Sequence, residues 1–528
     1  MSAPALEVNC PVPVPDGLLA AFDAYETALL ANDVEALDRL FAPGPDTVRG
    51  DGKVLLVGHD SIAGFRSGRK VIPTRRVARL LVRPAGTDAA LVMASTVEPA
   101  TGATGLQTQL WHHIAGEWKV TAAHVTLPAG GRPAAAPPVD PAVWRVVGTP
   151  LVAATSGGPL EGTTVAVKDL FEVAGQRLGA GNPVWLAEQE PRRTTAPAVA
   201  ALLAAGAEIT GIARTDEFAY SLAGQNAHYG TAPNVAVPGG IGGGSSSGPA
   251  SAVAAGQVRV GLGTDTAGSI RVPASYQGLV GVRPTHGAVP SAGVLPLAPS
   301  FDTVGWLTRD VPAARRIADV LVTGTAAAAT RMMVLPAVEA HAADDVRAAC
   351  AGVRANLVAA GILPAAETGD LDSSTLETWF AAFRTVQAFE AWQAHGEWLS
   401  AHPGVLGPDV GGRFASAATV SAAEADEARG VVSEARTRLR ALLDGAVLVL
   451  PTTRGGAPDR NAGADIVEAE RAGTLRLTCL AGLGGLPAVS LPLARTADGR
   501  PAGLCLVGAA GTDLALLDLA ATIEGSVR

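Results

Sequence analysis

Residues 239–273 read GGIGGGSSSGPASAVAAGQVRVGLGTDTAGSIRVP. Three successive serines, Ser245, Ser246 and Ser247, follow a glycine run. A small-residue run over 251–256 reads as part of a buried helix, and 258–262 as a buried strand. That strand delivers GTDTAGS, whose last residue is Ser269. Glycines and hydroxyls at this density suit either a linker or a chemical site. The apolar runs on both sides argue against a linker.

Three site chemistries fail on the residues themselves. A phosphate loop needs a Lys after its glycines, and none follows here. A dinucleotide fingerprint needs a third Gly in register after Gly261 and Gly263, and Thr264-Asp265-Thr266 stands there instead. Gly244 to Gly248 spells G-x-S-x-G around Ser246, but no strand leads into it and no downstream His carries a partner motif.

Working outward, the chain uses lysine at only four places, Lys53, Lys70, Lys119 and Lys168, and otherwise Arg. An Arg cannot serve as a deprotonatable amine, so a kept Lys marks a candidate base. Lys168 ends the apolar run GTTVAVKD (162–169), which reads as a strand. A helix capped by Thr195 with Pro197 in its first turn ends before Gly206, and a strand over 208–212 follows. This alternation predicts a largely parallel mixed sheet with helices on both faces. Residues 331–444 read as helical and contain Trp379, Trp392 and Trp398. Further strands are expected at 446–452, 486–493 and 503–508, with a last helix from Asp513.

Taken together, VAVKDLF at Lys168, GGGSSSG at Ser245 and GTDTAGSIRVPA at Ser269 resemble the amidase signature family. The likeness continues in EFAYSLAGQNAHYGTAPN (217–234), in 275–310 and in the C-terminal GLPAVSLPLA, and covers most of 145–528. NAHYGT and APSFDTVGW resemble the arylacetamide and indoleacetamide hydrolases of that family. The resemblance implies an α/β fold with a mixed central sheet covered by helices, and a Ser-Ser-Lys triad of Lys168, Ser245 and Ser269. It implies a cis peptide bond at the bridging serine, and an oxyanion hole from the N–H groups of Thr266, Ala267, Gly268 and Ser269. The physical chemistry agrees. A buried Lys sheds its proton because low dielectric disfavours the ammonium. Neutral Lys168 then takes the Ser269 proton through Ser245.

Ala267 stands where the family commonly has Gly. Asp265 reads as a structural hydrogen-bond partner and Trp306 as core. Arg271 is either structural or a carboxylate binder. Tyr220, Asn226 and His228 either face substrate or hold their loop. The scarcity of charge near the motifs favours a neutral acyl group.

Residues 1–127 form a separate unit. Apolar spacing predicts a helix pair over 16–42 that turns at Asn32-Asp33, then strands at 54–57, 78–82, 89–95, 108–114 and 118–125. The pattern resembles an NTF2-like (SnoaL-like) α+β cone. His59, Arg66, Arg75, Gln107, Gln109 and His124 either line its pocket or are surface and satisfied strand polars. His112-His113 reads as one inward and one outward position, not a metal pair. PAGGRPAAAPPVDPAV (128–143) is a Pro/Ala linker, and 144–528 is the amidase-like domain.

The 528 residues exceed one core, in keeping with two domains. A net charge of −9 gives no reason to expect nucleic acid. No apolar run reaches a membrane span, and the N-terminus lacks signal-peptide character. Four scattered cysteines fit a cytoplasmic protein without disulfides. The expected activity is hydrolysis of a small amide, carbamate or urea through an acyl-enzyme, with no cofactor and no metal. Two other readings belong to the same family. One is a catalytically reduced scaffold or receptor, opposed by the retained triad. The other is the glutaminase subunit of an amidotransferase, opposed by the acidic charge and the fused domain. The N-terminal domain is left with three roles: a homodimer contact, a shaper of substrate access or a second reaction.

Overall fold

The computed structural model describes residues 7–51, 54–67, 75–97, 104–126, 139–323 and 328–527. The chain divides into two compact units, Met1–Pro137 and Pro138–Arg528. Residues 127–138, most of the expected linker, lie outside the described residues.

In the first unit the helix pair forms as Leu18–Ala31 and Val34–Leu40. Asn32 takes the left-handed conformation that closes the first helix, and the Asp33 carboxylate accepts the Ala36 N–H at 2.9 Å to open the second. Seven strands pair in the spatial order Glu7–Asn9, Arg76–Pro84, Ala89–Val97, Thr104–Ile114, Glu117–Thr126, Val48–Asp51 and Leu55–Val57. The sequence pattern misses the strands at 7–9 and 48–51 because three or four residues are too few to show a period. It also misses the helix His59–Ser67. Phe22, Tyr25, Phe41 and Trp111 fill the core.

Several of the polar candidates bond within this unit. Arg75 and Gln107 converge on Glu26, at 2.8 and 2.6 Å, and Arg66 lies over the Phe41 ring. Gln109 accepts the Trp111 indole N–H at 3.1 Å. His112 bonds Thr121 Oγ1, and His113 is exposed with its edge on Trp118.

The second unit is built on eleven strands. Their spatial order is Ala366–Thr368, Arg331–Val334, Ala446–Pro451, Pro501–Val507, Ala488–Arg495, Val280–Arg283, Thr303–Thr308, Val260–Asp265, Thr164–Lys168, Glu208–Ala213 and Trp144–Val152. The sheet is mixed, but not largely parallel as the alternation suggested. Four pairings are parallel and six antiparallel. Part of the reason is connectivity. A five-residue turn joins Ala488–Arg495 to Pro501–Val507, and so short a link permits only an antiparallel pair. Strands buried on both faces read as plain apolar runs, so the sequence pattern does not reveal direction.

Other local expectations are corrected in detail. Ala196, not Thr195, caps the helix Pro197–Ala204, and Thr195 Oγ1 instead accepts the Ala174 N–H at 3.1 Å. Residues 331–334 and 366–368 are strands within an otherwise largely helical region. The helix Ser373–Ala401 carries all three tryptophans. Trp306 is fully buried core. Among the described residues no helix is long and apolar enough to cross a membrane.

Candidate active site

Three parallel strands end side by side. Glu208–Ala213 and Val260–Asp265 flank Thr164–Lys168, with Ala213 in register with Lys168 and Leu262 with Val167. Their carboxyl ends converge, as they do at ligand crevices of open α/β sheets. Lys168 emerges from the middle strand, Thr215 and Asp216 follow the second, and Thr264 to Ser269 end the third.

Lys168 is completely buried. Its Nζ lies 2.8 Å from both Ser245 Oγ and Thr264 Oγ1. Burial pushes its pKa down to about 7, against the opposing pull of the Asp216, Asp302 and Asp265 carboxylates. The Ser245 carbonyl accepts the Thr215 hydroxyl at 2.9 Å and the Asp216 N–H at 3.3 Å. The Gly244–Ser245 peptide bond is cis. Gly243 is left-handed at φ 71°, and a Cβ on Gly244 would collide with the Asp216 carboxylate.

The three serines part company. Ser245 faces Lys168, Ser246 Oγ donates to the Thr264 carbonyl, and Ser247 Oγ donates to Asp216 Oδ1 at 3.0 Å. Ser269 accepts the Ser246 N–H on its carbonyl at 3.2 Å. It opens on a narrow pocket with Tyr220, Ser221, Thr266, Ala267, Gln387 and Arg471 among the lining residues.

The loop before Ser269 is held from below by Asp265. Its carboxylate accepts the N–H groups of Gly268, Ile270 and Arg271, and pairs with the Arg271 and Arg283 guanidiniums at 2.8 and 3.0 Å. Burial would raise the Asp265 pKa, but the two guanidiniums overcome it and hold the carboxyl well below the usual range. Gly268 therefore departs from the expected oxyanion set, because its N–H already points at Asp265. The N–H groups of Thr266, Ala267 and Ser269 have no acceptor among the described residues. The Thr266 hydroxyl donates to Asp302 at 2.6 Å, and Thr478 Oγ1 donates to the Ala267 carbonyl at 2.5 Å. Among the described residues no group of His, Cys, Asp or Glu is arranged for a metal ion.

Against known proteins, the model of the Amidase family matches residues 151–368, and that of the AtzH-like family residues 7–130. Amidase 1 of Arabidopsis thaliana is 35% identical over 413 residues, which is 71% of this chain and 96% of the relative. The translocon at the outer membrane of chloroplasts 64 of Pisum sativum is 32% identical, over 69% of this chain and 66% of its own. A solved structure from a vestigial protein complex, reported as revealing the evolutionary origins of an s-triazine catabolic enzyme, superposes with a TM-score of 0.64. It has 30% identity and covers 70% of this chain and 85% of its own.

The chain belongs to the amidase signature family.

It is an enzyme that hydrolyses carbon–nitrogen amide bonds, and its small first unit is AtzH-like. In this amidase the outer candidates fall into two groups. Tyr220 does face the Ser269 pocket, with its ring against Phe414. Burial raises its phenol pKa, against the pull of Arg471, Arg413 and Arg384. Asn226, His228 and Arg271 are each engaged by neighbouring protein groups. Asn226 donates to the Gly181 and Thr215 carbonyls and accepts the His228 N–H, so it ties down its own loop. His228 Nε2 meets Glu217 Oε1 at 2.7 Å. Arg271 is buried against Asp265 and the Thr478 carbonyl.

The sequence reasoning passed over Asp216, Thr264, Gln387 and Arg471. Asp216 carried a signal, because it follows a strand that lies beside the Lys168 strand. Gln387 and Arg471 carried none, since each is an ordinary helix residue until packing places it. A cavity of about 560 Å³ adjoins the Ser269 pocket at Leu222 and Arg471. Its wall includes Ile241, Val272, Tyr276, Val410 and Val467.

Proposed function

We propose that this amidase cleaves a small amide, carbamate or urea through an acyl-enzyme on Ser269. Ser269 Oγ attacks the carbonyl carbon while its proton passes to Ser245, whose own proton passes to neutral Lys168. The tetrahedral oxyanion is met by the N–H groups of Thr266, Ala267 and Ser269, each donor worth roughly 3–4 kcal/mol in the transition state. Lys168 returns its proton through Ser245 to the leaving nitrogen, and ammonia or an amine departs. Water then attacks the ester with the same relay running again, which frees the acid and restores Ser269.

The observation that carries this reading is the buried Lys168 amine, 2.8 Å from Ser245 Oγ and able to be neutral near pH 7. The unpaired N–H groups beside Ser269 support it. The test is a release assay over small amides, carbamates and ureas with hydroxylamine present. A burst of ammonia stoichiometric with enzyme where deacylation is slow, and hydroxamate as a second product, are expected. Turnover with neither burst nor hydroxamate on any substrate would sink the acyl-enzyme.

A pH dependence follows from the same amine. Lys168 acts only when neutral, so kcat/KM is expected to rise with pH through about 7 and level off above it. The measurement is a pH–rate profile on a substrate that does not titrate. A flat profile across that range would contradict the assignment of the base.

A further inference from the structure

Beyond the Ser269 pocket lies a second cavity of about 500 Å³. Tyr220, Gln387 and Arg471 line both, so the two are continuous at those side chains. Arg384 from Ser373–Ala401, Arg413 from Pro408–Ala417 and Arg471 from Ala464–Gly484 converge on this outer cavity. Asp409 and Glu468 are its other charged lining residues, which leaves three positive groups against two negative.

The charges are also unevenly placed. The Arg413 and Arg471 side chains are only 14% exposed, whereas their carboxylate partners Asp409 and Glu468 are 65% and 59% exposed. The carboxylates therefore sit at the water side and the guanidiniums inside. Arg413 is used up on Asp409 and on the Tyr220 carbonyl. Arg471 gives Nη1 to Glu468 at 3.0 Å, while its buried Nε has no acceptor among the described residues. Arg384 has no ion pair among the described residues, and its guanidinium lies 5.9 Å from the centre of the Phe380 ring. A buried N–H without an acceptor is costly, and a guanidinium edge matches a carboxylate in two parallel bonds.

We propose that the substrate is an amide bearing a carboxylate, which docks on Arg471 and Arg384 while the scissile carbonyl lies at Ser269. The inference rests on Ser269 being the nucleophile. It replaces the expectation of a neutral acyl group, which considered only the motif residues. The cationic groups come from helices outside those motifs.

The test compares, on the full chain, kcat/KM for the monoamides of malonic to adipic acid with that for unbranched neutral amides of matching length. At least one acid amide is expected to be preferred over its neutral counterpart by about tenfold or more. Arg471→Gln and Arg384→Gln are each expected to cut that preference by about tenfold to a hundredfold, chiefly through KM, as loss of a charged hydrogen bond dictates. Arg384 is exposed, so its variant guards against misfolding as an explanation for Arg471→Gln. Preference for neutral amides, or a preference untouched by both variants, overturns the carboxylate site while leaving the nucleophile standing. No turnover of either panel overturns this inference, while the wider amide, carbamate and urea reading falls only if the release assay over all three classes is also blank.

Discussion

Lys168→Met is expected to make the protein inert and at the same time more stable. In the proposed relay, loss of the base removes the acceptor for the Ser269 proton. Members of a catalytic unit of this kind cost about 10⁴-fold or more in kcat when removed. Ser269→Ala is expected to do the same to activity, without the gain in stability. The stability effect comes from the proton. The unfolded side chain takes one below about pH 10.4, whereas the buried amine holds off until about 7. Between those values the unfolded state binds more protons, so stability rises with pH across that window, and the cost is fully present below it. At pH 7 it is about 4 kcal/mol, of which two lost hydrogen bonds take back about half. Urea denaturation at neutral and at alkaline pH measures this. A Met variant less stable than wild type at pH 7, or one with retained turnover, would contradict the account.

Asp265→Asn is expected to destabilise the second unit by about 3–5 kcal/mol, because it leaves two buried guanidiniums without their counter-charge. Arg271 and Arg283 are both essentially inaccessible, and no other carboxylate pairs with either among the described residues. The amide has the same shape, so the loss isolates charge from packing. The same carboxylate orders the N–H groups of Gly268, Ile270 and Arg271, so activity is expected to fall even where the variant stays folded. A midpoint shift in urea at unchanged slope measures the stability term. A change below about 1 kcal/mol would show that the pair is already solvated.

What the sequence revealed about the site follows from how local each feature is. Lys168 ends a strand, Ser269 follows one and Ser245 lies just before a helix, and their motifs lie within short stretches. Asp265 and Arg271 are six residues apart, but the turn between them brings the two side chains together, so the Arg271 guanidinium is engaged by Asp265. Gly268 could not be excluded from the oxyanion set without knowing which way its N–H turns. The sheet's direction was hidden because buried strands carry no alternation. Gln387 and Arg471 reach the pocket only through helix packing, which no spacing rule along the chain expresses.

One feature of the pocket wall bears on how such enzymes diverge. The groups proposed for bond cleavage come from strand ends and loops, whereas Gln387, Arg413 and Arg471 come from three separate helices. A replacement on a helix face leaves the strand ends in place. Selection for a new substrate can then act on the helices one residue at a time, each intermediate remaining a working hydrolase, without passing through a form that has lost the reaction.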